Sequence, residues 1–258
     1  MSKKLRLDKL VVERGLEVSR TRAHARIMAG ECRVGGRAVT KPGHQVSRDA
    51  DIEFVGGGLK FVSRGGLKLE QALDASELTV DGQVCMDVGA STGGFTDCLL
   101  QRGASAVFAV DVGYGQLAWK LRNDPRVTVL ERTNIRHLAR ELVTRPIDTA
   151  VVDCSFISLR TVYPAMAPFL EVGSRVVALV KPQFEVGREN LGSHGVVRDL
   201  DARRNAIDEV SEAVSAAGLR VDGGVDCDTH GPKGNVEYLL WGTVERVPRT
   251  NESASPSA

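Results

Sequence analysis

The sequence predicts a doubly wound α/β sheet preceded by a small α+β unit, and three observations predict it. Short apolar runs alternate with helix-patterned stretches from about residue 63 to residue 247. Charge is split: residues 1–64 hold 14 Lys/Arg and 7 Asp/Glu, a net +7, whereas the other 194 hold 20 and 26, a net −6. Gly56-Gly57-Gly58 lies near that divide, and three consecutive glycines lose much backbone entropy in any regular element. The expected organisation is a first domain over 1–55, a linker over 56–62, a second domain over 63–247 and a tail over 248–258 rich in Ser, Pro and Asn.

Composition narrows the function classes. At 258 residues, 42% hydrophobic and 26% charged, the chain is not collagen-like, largely disordered or a disulfide-stapled miniature. Its apolar runs, such as Val176 to Val180, fall far short of the roughly 18 residues a membrane span needs. No apolar core follows the Lys-rich start, so neither a signal peptide nor a membrane partner is expected. Five cysteines (Cys32, Cys85, Cys98, Cys154 and Cys227) form an odd set without a two-residue spacing, which points to reduced thiols in a cytoplasm. The five histidines show no paired helical spacing, and no metal site is expected.

In the first unit, Leu7, Leu10 and Val11 recur at helical spacing up to Gly15. Ser19 suits an N-cap for a second helix that turns Ala23, Ile27 and Met28 inward and ends at Gly30. Cys32 to Val39 reads as strand, Gly35-Gly36 turn and strand, with a further strand near Asp51 to Phe54. Arg6, Arg20, Arg22, Arg26, Arg33 and Arg37 are many arginines for so small a core, and guanidinium groups bind phosphates bidentately and stack on bases. The run Arg6-Leu7-Asp8, Gly15, Ser19-Arg20, Ala23, Gly30 and Val34-x-Gly36 resembles the S4 domain, which implies that these arginines meet structured RNA.

In the second unit, strands are expected at Val84–Val88, Ala106–Val110, Val127–Leu130, Thr149–Val152, Arg175–Val180, Leu219–Val225 and Glu237–Val244. Helices are expected between them, including Phe95–Arg102 and Ala202–Ala217. The first strand runs into Asp87-Val88-Gly89-Ala90-Ser91-Thr92-Gly93-Gly94-Phe95, a glycine-rich strand-to-helix turn. A dinucleotide turn needs a glycine where Ser91 stands. The acid at Asp87 and the Gly89-to-Gly93 spacing instead fit an S-adenosylmethionine turn. Asp111 ends the next strand, 22 residues after Gly89, where an acid can accept ribose hydroxyls. The competing reading is a turn that serves packing alone.

Asp153 and Lys181 end two further strands at the sheet edge where α/β proteins build their sites, although a purely structural ion pair would look the same. Lys68 falls off the apolar stripe Leu69, Ala72, Leu73 and reads as a surface charge, as does Glu237 at the start of the last strand.

Taken in order, Ser63-Arg64-Gly65 with Lys68-Leu69, Gly89 to Thr96, Asp111 to Leu117, Leu121 to Val127, Asp153 with Ser155 to Leu159, Lys181 to Glu185 and Gly234 to Tyr238 are similar to FtsJ-like methyltransferases. They are more closely similar to the TlyA family, known both as hemolysin-like and as rRNA 2′-O-methyltransferases acting on cytidine. The resemblance implies a Rossmann-like class I methyltransferase sheet behind the S4-like domain. It implies S-adenosylmethionine held by Asp87, Gly89, Ala90, Ser91, Gly93, Gly94, Phe95 and Asp111. It also implies a Lys-Asp-Lys-Glu tetrad, which falls on Lys68, Asp153, Lys181 and Glu237 and reverses the surface reading of the first and last. Ribosomal RNA or ribosomal subunits are the implied partners, not DNA.

The chemistry is consistent with that carry-over. A ribose 2′-hydroxyl needs its proton removed, and Lys181 is the candidate base. Burial and a neighbouring ammonium such as Lys68 favour its neutral form, while Asp153 and Glu237 oppose it. Carbon-5 methylation would use a cysteine nucleophile, and Cys154 adjoins Asp153 but lacks the preceding proline. A pore-forming hemolysin and a non-catalytic, S-adenosylmethionine-binding ribosome assembly factor are the alternatives of another class.

Overall fold

A computed structural model describes residues 4–14, 16–17, 19–55, 60–187, 191–192, 195–231 and 234–247. The expected hinge glycines Gly56 to Gly58 and the expected tail over 248–258 lie outside the described residues, as does Gly15. The chain divides into two compact units between Lys60 and Phe61.

The first unit comprises β1 (Leu5–Arg6), α1 (Leu7–Glu13), α2 (Arg20–Met28), β2 (Cys32–Val34), β3 (Arg37–Ala38), β4 (Gln45–Val46) and β5 (Ile52–Phe54). Ser19 caps α2 by accepting from the Arg22 N–H at 3.2 Å. Gly35 and Gly36 have φ of +55° and +74°, the left-handed pair that a two-residue hairpin turn between β2 and β3 requires. Leu7, Leu10, Val11, Ala23, Ile27, Cys32, Val46 and Ile52 form the core. Met28, expected inward, is 61% exposed, because the last turn of α2 rotates it off the apolar stripe.

The second unit comprises α3 (Gly65–Ala75), β6 (Val84–Val88), α4 (Gly94–Gln101), β7 (Ala106–Val110), α5 (Trp119–Arg122), β8 (Val127–Leu130), β9 (Ile147–Val152), α6 (Leu159–Met166), β10 (Leu170–Val180), α7 (Pro182–Glu185), α8 (Leu200–Ala216), β11 (Leu219–Asp226) and β12 (Tyr238–Val244). One seven-stranded sheet has the order β11-β12-β10-β9-β6-β7-β8. The run from β10 to β8 is parallel, and β12 enters antiparallel between β10 and β11. Parallel strands buried on both faces read as unbroken apolar runs, which is why they were legible.

Side-chain alternation sends Val84, Met86 and Val88 to the face covered by Val162, Tyr163 and Met166 of α6 and Val210 and Val214 of α8. Cys85 faces the opposite layer, built from Leu69 and Leu73 of α3 and Leu99 and Leu100 of α4. Two strands start earlier than expected. β9 begins at Ile147 and β10 at Leu170, and an irregular register between the Leu170 and Arg175 pairings hides the continuity behind Glu171, Gly173 and Ser174. All five cysteines are free, and among the described residues no helix is long and apolar enough to cross a membrane. No group of three or more His, Cys, Asp or Glu among them could hold a metal ion.

Phe61 and Val62, expected in the linker, belong to the second unit. The Phe61 ring is buried, and the Val62 N–H donates to Asp97 Oδ2 at 2.8 Å. Gly66 makes room for that ring: a Cβ there would stand 2.3 Å from Phe61 Cγ. Gly66→Ala therefore overpacks α3 against Phe61 and is expected to cost about 1–3 kcal/mol, read as a lower urea midpoint at an unchanged m-value.

Candidate active site

At the carboxyl edge of the parallel strands a cleft of about 860 Å³ opens. The β6–α4 turn forms one wall. Gly89 has φ +89°, and a Cβ on it would stand 2.6 Å from the Asp153 carbonyl oxygen, so the first turn glycine is demanded by the end of β9 rather than by open space. Gly89, Ala90, Ser91, Gly94 and Phe95 line the cleft. Gly93 does not: it is the left-handed N-cap of α4 and packs toward Leu117 and Leu121.

The two carboxylates of the expected cofactor set stand behind this wall rather than in it. Asp111 Oδ2 accepts from the Ser91 N–H at 2.7 Å and Oδ1 from the Gly113 N–H at 2.6 Å, so it fastens the turn to its own loop. Asp87 is fully buried. Its Oδ2 accepts from Thr96 N at 2.9 Å and Thr96 Oγ1 at 2.6 Å, whereas Oδ1 has no hydrogen-bond partner among the described residues. Burial pushes the Asp87 carboxyl up to about 7, assisted by the nearby Asp153 and Asp111 and opposed by the Thr96 hydrogen bonds.

The four residues of the expected tetrad also line this cleft, brought together from distant parts of the chain. Lys68 comes from α3, Asp153 from the end of β9, Lys181 from the end of β10 and Glu237 from just before β12. The surface reading of Lys68 and Glu237 is corrected here: Lys68, Lys181 and Glu237 are 8%, 9% and 1% exposed. They form two ion pairs. Lys68 Nζ donates to Glu237 Oε2, and Lys181 Nζ stands 2.6 Å from Asp153 Oδ1. Burial pushes the Asp153 carboxyl up, and Lys181 and Lys68 pull it back.

Several neighbours carried no expectation. Lys181 Nζ also donates to Ser155 Oγ at 2.9 Å, and Gln183 Nε2 to Glu237 Oε1 at 3.5 Å. Phe156 has φ +65°, is 90% exposed and lies 5.0 Å from the Phe184 ring at the cleft. Ser155, Phe156, Gln183 and Phe184 all lie in the runs Asp153–Ser158 and Lys181–Glu185; an unusual backbone at Phe156 leaves no mark in the sequence. Cys154 is no nucleophile in this setting: its thiol donates to the Val88 carbonyl at 3.6 Å, and burial pushes it up to about 12.

In the first unit, Arg33 and Arg37 are exposed beside the hairpin turn. Arg6 and Arg20 are half-exposed and both pair with Asp8, whose carboxyl the Arg6 guanidinium holds down at about 2. Arg22 pairs with Glu17. Arg26, expected to face a partner, is turned inward: it pairs with Glu17 and Glu31 and stacks over Phe54 at 4.2 Å.

Residues 61–244 match the model of the FtsJ-like methyltransferases, and residues 5–52 match that of the S4 domain. The chain belongs to the FtsJ-like methyltransferase family. Among curated FtsJ-like relatives, the 16S/23S rRNA (cytidine-2'-O)-methyltransferase TlyA of Mycobacterium tuberculosis is 47% identical over 93% of this chain and 90% of its own length. Hemolysin A of Brachyspira hyodysenteriae is 39% identical over 91% of this chain and 98% of its own. A solved hemolysin-designated structure from Streptococcus thermophilus superposes with a TM-score of 0.75 at 40% identity, covering 99% of this chain and 94% of that one.

As an FtsJ-like enzyme the chain takes S-adenosylmethionine as methyl donor. The residues present fit that ligand: a glycine turn opens onto the cleft, and the N-terminus of α4 beside it suits a carboxylate.

The raised Asp87 carboxyl has a stability consequence. Its folded value of about 7 lies above the ordinary 3.8, so folding takes up a proton between the two. The contribution is complete below the ordinary value and is lost as pH rises through 7. Asp87→Asn, which titrates nowhere in this range, is expected to gain on the parent protein between pH 5 and 7 by up to about 1.4 kcal/mol per pH unit. Denaturant titrations at pH 5, 6, 7 and 8 check it.

Proposed function

We propose that the protein methylates the 2′-hydroxyl of a cytidine ribose in ribosomal RNA, with Lys181 as general base and Lys68, Asp153 and Glu237 as its electrostatic frame. The observation that carries this reading is the pairing of Lys181 with Asp153 and of Lys68 with Glu237 in the cleft that the glycine turn also lines. A relative 47% identical over nearly the whole chain is named for that reaction.

Bound along Gly89, Ala90, Ser91, Gly94 and Phe95, with Asp87 and Asp111 holding the turn from behind, S-adenosylmethionine supplies a methyl carbon activated by its sulfonium. The remaining work falls to this chain. Lys181 Nζ takes the hydroxyl proton as the oxygen becomes a nucleophile. Asp153 and the Ser155 hydroxyl hold Nζ in one direction, and Asp153 offsets the charge that Nζ gains. Lys68 is held by its own partner, Glu237, near enough to Asp153 to help keep that carboxyl charged. The exposed Phe156 ring offers a face on which a base drawn out of its stack would rest. Exposed Arg33 and Arg37, with Arg6, Arg20 and Arg22 at their carboxylate partners, give the S4 unit its contacts to RNA phosphates, whereas Arg26 braces the unit from inside. The setting of this reaction is the cytoplasm, where ribosomal subunits are found.

A lytic role has no supporting feature among the described residues, and a donor-binding assembly factor would have no use for two ion pairs facing the cleft.

Incubation with labelled S-adenosylmethionine and intact ribosomal subunits is expected to give cytidine sites whose adjacent phosphodiester resists alkali, the mark of 2′-O-methylation. Label on a base, or none on RNA, would sink the reading. Lys181→Met is expected to bind S-adenosylmethionine within about threefold of the parent while methylation falls about 10²–10⁴-fold. Cys154→Ala is expected to methylate at a rate within about twofold of the parent, which separates ribose chemistry from a cysteine-dependent route.

A further inference from the structure

Glu185 ends the run that begins at Lys181 and is buried, yet the reaction above gives it no part. Its carboxylate is fully engaged. Ser158 Oγ donates to Oε2 at 2.5 Å, and the Leu159 N–H donates to Oε1 at 2.8 Å. Arg160 Nε stands 3.6 Å from Oε2, and Arg160 Nη2 donates to the Glu185 carbonyl oxygen at 3.0 Å.

All of these partners lie in one stretch, residues 158–160, directly after the loop that carries Asp153, Ser155 and Phe156. Glu185 itself directly follows the segment that carries Lys181, Gln183 and Phe184. The Ser158 hydroxyl has a second duty, accepting from the Arg160 N–H at 3.1 Å as the N-cap of α6. One carboxylate thus clamps the start of α6 to the end of α7, and the two reacting loops hang between that clamp and their parent strands. The loop after β9 needs such a clamp, because a left-handed phenylalanine persists only where its surroundings over-determine it.

We propose that Glu185 is a positioning residue for methyl transfer, bolting the loop after β9 to the segment after β10 and so setting the spacing of Lys181 from Asp153 and Ser155. This rests on the reading that Lys181 is the base. Glu185 touches neither the cleft's reacting groups nor the substrate; its effect passes through the backbone of residues 153–158 and 181–185.

The experiment compares Glu185→Ala, Glu185→Gln and Ser158→Ala in the full chain, with Lys181→Met alongside. In Glu185→Ala, kcat is expected to fall about tenfold or more, since misplacing a catalytic group by a fraction of an ångström is costly. KM for S-adenosylmethionine stays within about twofold, because the turn that holds it is untouched. Glu185→Gln restores kcat to within about threefold, its carboxamide accepting from Leu159 N and donating to Ser158 Oγ. Ser158→Ala, which leaves the carboxylate in place, shows a smaller loss of kcat at an unchanged KM and reads the clamp even if Glu185→Ala does not fold.

A folded Glu185→Ala protein with unchanged kcat overturns the proposal. So does a Glu185→Gln protein as impaired as Glu185→Ala, which would make the charge, not the hydrogen bonds, the cause. An unchanged kcat in Ser158→Ala counts against it equally. A fully active Lys181→Met protein would instead remove the reading on which the proposal rests.

Discussion

Two ammonium groups and two carboxylates sit at one edge of an otherwise apolar sheet, and that costs free energy unless each charge finds an opposite one. The pairing of Lys181 with Asp153 and of Lys68 with Glu237 meets the requirement, and it dictates much of the surrounding geometry. Asp153 and Lys181 can meet at 2.6 Å because β9 and β10 are parallel neighbours in a register that pairs Ala178 with Val152 and ends both strands at the same edge. Glu237 reaches the site because β12 enters antiparallel beside β10, with Tyr238 opposite Val180. Lys68 reaches it because α3 packs its Leu69 and Leu73 on the same face of the sheet. A shift in any of these elements would strand a charge, so the site and the sheet order specify each other.

The strands were legible for the reason that makes them strands: β6 and β7 are buried almost along their length, and the half-buried edge strand β8 still carries Val127, Val129 and Leu130 around its exposed Thr128, so the limits of all three were read to the residue. The start of β10 was not, because a register irregularity there admits Glu171, Gly173 and Ser174 into what is still paired backbone. The site divided along similar lines. Asp153 and Lys181 stand out because a charge directly after a buried apolar run is conspicuous. Lys68 and Glu237 do not, because each is explained only by the other across 169 residues, and local periodicity carries no information at that range. Only the family resemblance pointed to them. Arg26 shows the opposite error: the resemblance counted it among the arginines that meet RNA, but Glu17, Glu31 and Phe54 draw it into the unit's interior.

The glycine turn posed a choice between a packing role and a ligand role, and the structure shows why the sequence could not choose. Gly89 must be glycine because the carbonyl of Asp153 would collide with any side chain there. The same Asp153 donates its backbone N–H to Val88 at 2.9 Å. The backbone that shapes the turn proposed to bind the donor is thus in direct contact with the backbone that carries Asp153. Packing and ligand binding are one requirement at this position, and a residue that satisfied the first alone would still move the second.

That contact also gives Asp87 a place in the argument. A carboxyl buried one residue before Val88, with one oxygen unpartnered among the described residues, is a liability to folding at neutral pH. Asparagine would accept from Thr96 through its carbonyl oxygen and avoid the charge. What asparagine would not supply is a negative charge, shared with Asp111 and Asp153, behind the turn that we propose holds the cationic methyl donor. Retaining an ionisable acid where a neutral amide would fold better is coherent if the turn's task is to discriminate a cationic methyl donor from the neutral thioether left after transfer. The cost to stability and the electrostatic preference then come from the same buried charge.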